Sequence, residues 1–94
     1  MKQLEWSAVA LADLDRFARF LMQQDPRLAA LIAEELIRGA EVLESHPRMG
    51  RAIAGHENYR EAILKVMNGR YIFQYRVEET RTVMLRVLYG REDR

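Results

Sequence analysis

Asn68-Gly69 stands between two runs of alternating apolar and polar residues, and no other feature of the 94-residue chain limits the fold as strongly. Both residues accept the positive φ of a type I′ turn, so the pair predicts a tight hairpin. The run before it reads Y-R-E-A-I-L-K-V-M from Tyr59, and the run after it reads R-Y-I-F-Q-Y-R-V to Val77. A charged connection, E-E-T-R at 78–81, then leads to T-V-M-L-R-V-L-Y-G-R, ending at Arg91. Charged and polar residues suit an exposed loop tip. Three strands in a meander follow. Alternation sets Tyr71, Phe73, Tyr75 and Val77 on one face of the middle strand, with Ile72, Gln74 and Arg76 on the other. In the last strand it groups Val83, Leu85, Val87 and Tyr89 against Met84, Arg86 and Leu88. A sheet with one strongly apolar face needs a cover.

The first half of the chain supplies that cover. A short strand is predicted at 2–6, where Leu4 and Trp6 alternate with Gln3 and Glu5. Ser7 then reads as a helix N-cap, its hydroxyl accepting from a first-turn amide. Trp6 and Leu11 are spaced as a hydrophobic staple. The first helix runs from residue 8 to about 24, with an apolar stripe at Leu11, Leu14, Phe17 and Leu21; Asp13, Arg16, Arg19 and Gln23 face elsewhere. Phe20 and Met22 lie off the stripe and are read as widening the buried face. Asp25-Pro26 ends this helix and opens the next, because Asp is a good N-cap and Pro is preorganised for the first helical position. The second helix runs from 26 to about 44. Its stripe is Leu28 or Ala29, Ile32, Leu36, Gly39/Ala40 and Leu43. Glycine costs up to ~1 kcal/mol inside a helix, so Gly39 points to close approach of helix 1 or the sheet. A connection this short makes the helices antiparallel. Residues 45–58 form a loop by their Pro and Gly content.

The predicted class is therefore α+β, a single domain over 1–94 with the order β-α-α-β-β-β. The N-terminal strand joins a three-stranded antiparallel meander, and the antiparallel helical hairpin packs on its apolar face. Leu14, Phe17, Leu21, Ile32, Leu36 and Leu43 are expected to meet Tyr71, Phe73, Val83, Leu85 and Val87. A chain this short buries roughly 60–65% of its unfolded surface, so a deep enclosed pocket is not expected. The absence of cysteine excludes a disulfide framework and thiolate metal sites. His46 and His56 fall in loops without a second ligand at metal spacing, so neither metal nor cofactor is expected. The start M-K-Q-L-E-W-S has no apolar core of a signal peptide, and no run reaches the 18 or so apolar residues of a membrane span. The expected location is cytoplasmic.

Net charge is +1, but it is unevenly spread. Residues 1–47 hold five Lys/Arg against eight Asp/Glu, a net of −3, and residues 48–94 hold ten against six, a net of +4. Nine of those ten are arginine, which favours planar bidentate pairing with carboxylate or phosphate. Two readings fit: a solvated strand face that discourages aggregation, or a docking surface for an acidic partner or nucleic acid.

Several segments, taken in order, carry a family likeness. They are W-S-x-x-A at 6–10, D-P-x-x-A at 25–29, H-P-R-M-G-R at 46–51, Tyr59-Arg60, G-R-Y-I-F-Q-Y-R-V at 69–77 and L-R-V-L-Y-G-R-E-D at 85–93. Together they resemble the RelE/ParE superfamily, the toxin halves of type II toxin–antitoxin pairs. The resemblance implies a small twisted sheet under a helical hairpin, and a cognate antitoxin, ParD- or RelB-like, whose C-terminal segment wraps the toxin. RelE-like members are ribosome-dependent mRNA endonucleases; ParE-like members poison DNA gyrase without cleaving anything themselves. It implies no membrane contact, and contact with DNA only through the antitoxin.

Chemistry separates the two branches. Cleaving RNA through its 2′-hydroxyl needs a base, an acid and cations for the charged transition state. RelE-like toxins use a dense Lys/Arg cluster and a C-terminal Tyr, whereas lysine occurs here only at Lys2 and Lys65. Engaging a ribosome also favours many phosphate contacts, which a net +1 chain with an acidic hairpin supplies poorly. The ParE-like reading is preferred, with no catalytic residues. The alternative keeps Arg60, Arg86 and Tyr89, with Arg91 beside them, as a minimal nuclease set. ParE-like sequences often carry His-Gly-Arg where this chain has Tyr89-Gly90-Arg91, and that departure keeps the RelE-like alternative open. Arg60, Arg70, Arg76, Arg86, Tyr89 and Arg91 are the expected partner-binding residues. Antitoxin carboxylates would meet the arginines at 60, 70, 76 and 86.

Overall fold

The computed structural model describes residues 3–67 and 69–90. Its elements are β1 (Gln3–Trp6), α1 (Ala8–Gln24), α2 (Pro26–Ser45), β2 (Arg51–Ile53), β3 (His56–Val66), β4 (Gly69–Val77) and β5 (Arg81–Tyr89). They form a five-stranded sheet in the order β1-β5-β4-β3-β2. β1 runs parallel to β5, and every other pairing is antiparallel. The helical hairpin covers one face, as the α+β reading expects.

Local chemistry sets the hairpin. The Ser7 hydroxyl accepts from the Ala10 N–H at 3.0 Å and donates to the Leu85 carbonyl at 3.1 Å. One side chain thus caps α1 and ties its start to β5. Asp25 is the whole connection between the helices: its N–H closes α1 on the Leu21 carbonyl at 2.7 Å, and its carboxylate accepts from the Arg27 N–H at 3.0 Å. The α2 stripe of Ala29, Ile32, Leu36, Ala40 and Leu43 is buried as expected. Gly39 lies against the sheet, where a Cβ would stand 2.8 Å from Leu64 Cδ2 and 3.3 Å from the Phe73 ring.

Five expectations are corrected. Gly69 belongs to a strand rather than to the turn, because it pairs with Val66. Met67 has a φ of 56°, and Asn68 lies outside the described residues, as do Lys2 and Arg91. The 45–58 loop contains the short strand β2, and His56 opens β3, which extends well before Tyr59. Leu11 is 53% exposed, and Trp6 packs on the core instead. Phe20 and Met22 are 59% and 55% exposed rather than part of a wider buried face. Asp13, expected outside the apolar stripe, is only 4% exposed.

The face assignment of β5 changes as well. Gln74 pairs with Arg86 but Tyr75 pairs with Met84, so Leu85 is an extra, bulged residue. The bulge reverses the alternation on its N-terminal side. Met84 therefore joins Val87 in the helix-facing core with Tyr71, Phe73, Tyr75 and Val77, and Val83 turns to the opposite face beside Arg76.

Candidate partner-binding surface

Cross-strand partners share a face, so the register defines the side of the sheet that faces away from the helices. Its rows are Lys65–Arg70, then Ile63–Ile72–Leu88, then Glu61–Gln74–Arg86, then Tyr59–Arg76–Val83. An apolar row is thus flanked by the basic Lys65–Arg70 row on one side and by the mixed Glu61–Gln74–Arg86 row on the other. Three expected partner residues, Arg70, Arg76 and Arg86, share this open face, with Arg70 and Arg76 six residues apart along β4.

Most of its charge is already neutralised within the chain. Arg76 donates Nε to Glu78 at 2.7 Å, with its guanidinium 5.9 Å from the Tyr59 ring centroid. Arg81 donates Nε to the same carboxylate at 2.6 Å and Nη1 to Glu5 at 2.9 Å. The hydrogen bonds from Arg81 and then Arg76 hold the Glu78 carboxyl below its ordinary pKa. Gln74 donates to Glu61 at 3.2 Å. Arg86 reaches around the edge of β5 to Asp13. Among the described residues, exposed Lys65 and Arg70 have no acidic partner.

The remaining expected residues lie elsewhere. Arg60 is opposite Tyr75 and points to the helix-covered side. Its Nη1 donates to the carbonyls of Arg48, at 3.2 Å, and Gly50, at 2.8 Å. The buried Tyr75 hydroxyl donates to the Pro47 carbonyl at 2.8 Å and accepts from the Gly50 N–H at 3.0 Å. Burial pushes the Tyr75 phenol up, and the Gly50 N–H and the nearby Arg60 charge pull it partly back. The H-P-R-M-G-R segment is therefore fastened from beneath by one phenol and one guanidinium. Tyr89 is half-buried at the far end of the same side. It packs edge-on against Tyr71 at 5.4 Å, and Tyr71 packs edge-on against Phe17 at 5.4 Å. Tyr89 borders an apolar groove of about 860 Å³ lined also by Phe20, Leu21, Leu28, Ile32 and Met67.

Arg60, Arg86 and Tyr89 are not brought together. Arg60 lies in the Tyr75 row and Tyr89 in the Tyr71 row, four residues apart, or roughly 13 Å along the strand. Arg86 belongs to the opposite face. General acid–base chemistry on one phosphate needs groups within hydrogen-bond reach of it. Arg91 lies outside the described residues.

Sequence reasoning missed Asp13, Tyr75 and Glu78. Asp13 had a signal: Ala10, Asp13 and Phe17 recur at helical spacing, and all three are buried. A carboxylate on such a stripe requires a cationic or amide partner from another element.

The comparisons with known proteins agree with the fold. The family described as "ParE toxin of type II toxin-antitoxin system, parDE" matches residues 4–94. Toxin RelE3 of Caulobacter vibrioides (strain ATCC 19089 / CIP 103742 / CB 15) is 30% identical over 94 residues, covering 100% of both chains. A chain from the structure titled "Chromosomal ParDE TA system from P. aeruginosa" superposes with a TM-score of 0.72 over 95% of this chain and 96% of that one. At 19% identity that likeness is one of fold. This chain belongs to the ParE family of type II toxin–antitoxin toxins.

Proposed function

We propose that this toxin acts by binding, that its target is DNA gyrase, and that a cognate antitoxin neutralises it in the cytoplasm. The observation that supports this reading is the dispersal of Arg60, Arg86 and Tyr89. Two of them are committed to bonds within the chain, to the 48–50 backbone and to Asp13. The third lies in an aromatic stack on the other side of the sheet from Arg86. A nuclease needs its acid, base and cations around one scissile phosphate. A binder has no such requirement. On this reading the chain meets DNA only through its antitoxin.

A paired assay tests the proposal: supercoiling by purified gyrase, and mRNA cleavage on translating ribosomes, each with wild type and Tyr89→Phe. In a binder the lost hydroxyl removes at most one hydrogen bond, about 0.5–1.5 kcal/mol, so inhibition changes by no more than about tenfold. The expected result is inhibition of supercoiling by both proteins and ribosomal cleavage by neither. Cleavage by wild type that drops by ~10²–10⁴ in the variant would make Tyr89 a catalytic group and replace this reading with the RelE-like one.

A further inference from the structure

The loop between α2 and β2 is held by five hydrogen bonds to its backbone. The carbonyl of His46 accepts from the Met49 N–H at 3.2 Å. The carbonyl of Pro47 and the N–H of Gly50 are both taken by the Tyr75 hydroxyl. The carbonyls of Arg48 and Gly50 are taken by Arg60. Tyr75 is 0% exposed, so the clamp comes from the core itself. Gly50 is buried against it, with no room for a side chain.

The side chains on this fixed backbone point outward. Met49 is 62% exposed, and the Arg51 side chain is 81% exposed with only a 3.6 Å contact to Glu61. Arg48 is exposed too, and Ile53 beyond it is 38% exposed. An isolated exposed Met is ordinary. A Met flanked by two arginines on a backbone held by five hydrogen bonds is a preorganised contact element, because fixing a loop in advance removes part of the entropy cost of binding.

We propose that the Arg48-Met49-Arg51 knob docks on the toxin's macromolecular target, at an acidic protein surface with an apolar notch for Met49. Charge favours a protein over nucleic acid. Glu78 and Glu79 line the cleft beside Arg48, and Glu61 lies against Arg51. A protein surface can set acids against Arg48 and Arg51, cations against these carboxylates and an apolar notch around Met49, whereas a phosphate backbone is uniformly anionic and offers Met49 nothing. The proposal rests on the reading that the toxin acts by binding a protein, but the knob can be tested without knowing which one.

The test uses the full chain and the neutral triple variant Arg48→Ala/Met49→Ser/Arg51→Ala, which alters only exposed side chains and leaves the Tyr75 and Arg60 clamp intact. Growth arrest on induction is measured for wild type and variant, alongside gyrase supercoiling, melting temperature and binding to a plain DNA duplex. Truncating a hot spot weakens binding by about tenfold or more, so the expected result is loss of growth arrest at matched expression with an unchanged melting temperature. If gyrase is the target, the dose for half-inhibition rises by the same factor. Growth arrest lost in the variant while wild type fails to inhibit gyrase keeps the knob and discards the gyrase reading. Growth arrest retained by the variant overturns the knob and leaves the gyrase reading untouched. Absence of growth arrest by wild type, or duplex binding by wild type that disappears in the variant, also overturns the proposal. Should the triple variant melt early, Met49→Ser alone carries the same comparison.

Discussion

Asp13 on α1 accepts from Arg86 on β5 through both carboxylate oxygens, at 2.8 and 3.1 Å, and takes the Val87 N–H at 2.8 Å as well. This contact lies just past the point where β1 stops pairing with β5, whose last partner residue is Met84. Ser7 holds the Leu85 carbonyl at the same place. One side chain of α1 and its N-cap thus take over the bulged edge of β5 from the strand that no longer covers it.

The two partners of this pair are not equivalent. Asp13 is 6% exposed and Arg86 42% exposed at the side chain. Arg86→Ala leaves a buried carboxylate with only the Val87 N–H and Arg16 for support, and stranding a buried charge costs on the order of 3 kcal/mol. Asp13→Asn keeps an oxygen for the Val87 N–H and strands only a half-solvated guanidinium, so the loss is about 1–2 kcal/mol. Urea midpoints of the two variants give the order directly. A larger loss in Asp13→Asn would contradict this account of the edge.

The same pair carries a pH signature. Burial pushes the Asp13 carboxyl up, but the hydrogen bonds from Arg86 and the Val87 N–H outweigh it and leave the pKa below the ordinary value. Between the folded and unfolded pKa the unfolded chain binds more protons, so stability there rises with pH. The contribution is complete above the unfolded carboxylate value of about 4 and disappears as pH falls through the lower folded value. The stability gap between wild type and Asp13→Asn should be constant from neutral pH to about pH 5 and then narrow on acidification. A gap unchanged down to pH 2 would count against a lowered pKa.

Tyr75→Phe separates packing from the clamp. The ring remains, but the Pro47 carbonyl and the Gly50 N–H lose their shared partner. Leaving buried polar groups unsatisfied costs about 1–3 kcal/mol, so denaturation midpoints should fall accordingly. Gly50→Ala should be at least as damaging, because the added Cβ meets the Tyr75 hydroxyl and stands 2.8 Å from the Glu61 carbonyl oxygen. Amide exchange in the 46–50 loop should accelerate in Tyr75→Phe while the α1 interior stays protected. Equal acceleration everywhere would point to global loosening instead.

Much of this fold was legible because it is local. Ser7 as a cap, Asp25-Pro26 as the joint and the α2 stripe each follow from neighbours in sequence. What stayed hidden depends on distant registration. Asp13 makes sense only with Arg86, 73 residues away. The Leu85 bulge could not be read, because 81–89 alternates plausibly in either phase and only pairing with β4 selects the extra residue. Phe20 and Met22 looked buried because they are large and apolar, but they point away from the stripe of Phe17 and Leu21 that packs on the core. Of the four arginines expected to act together, those at 70, 76 and 86 share a face and Arg60 does not. The differing states of those three follow from Glu78 and Asp13, which no spacing rule connects to them.

Those pairings redirect the electrostatic expectation for the antitoxin. Arg76 and Arg86 are already neutralised by Glu78 and Asp13, so reversing Arg86 strands the buried Asp13 carboxylate and reversing Arg76 leaves Glu78 with Arg81 alone. Lys65 and Arg70 form an exposed basic pair at the end of the open face, with no acidic partner among the described residues. Charge reversal there, Lys65→Glu/Arg70→Glu, should leave the melting temperature within a degree or two, since exposed substitutions change stability by about 0.5 kcal/mol or less. It should also slow association with the antitoxin at low salt and flatten the salt dependence of binding. Arg76→Glu should do the opposite: it places three carboxylates together at Glu78 and Glu79, lowers the melting temperature and changes the association rate less. Stopped-flow association across a salt series, with thermal melts of the same proteins, tells these outcomes apart. If Arg76→Glu proves the stronger kinetic variant and the Lys65/Arg70 reversal has no effect, the antitoxin approaches the Tyr59–Arg76 end of the sheet rather than the Lys65–Arg70 end.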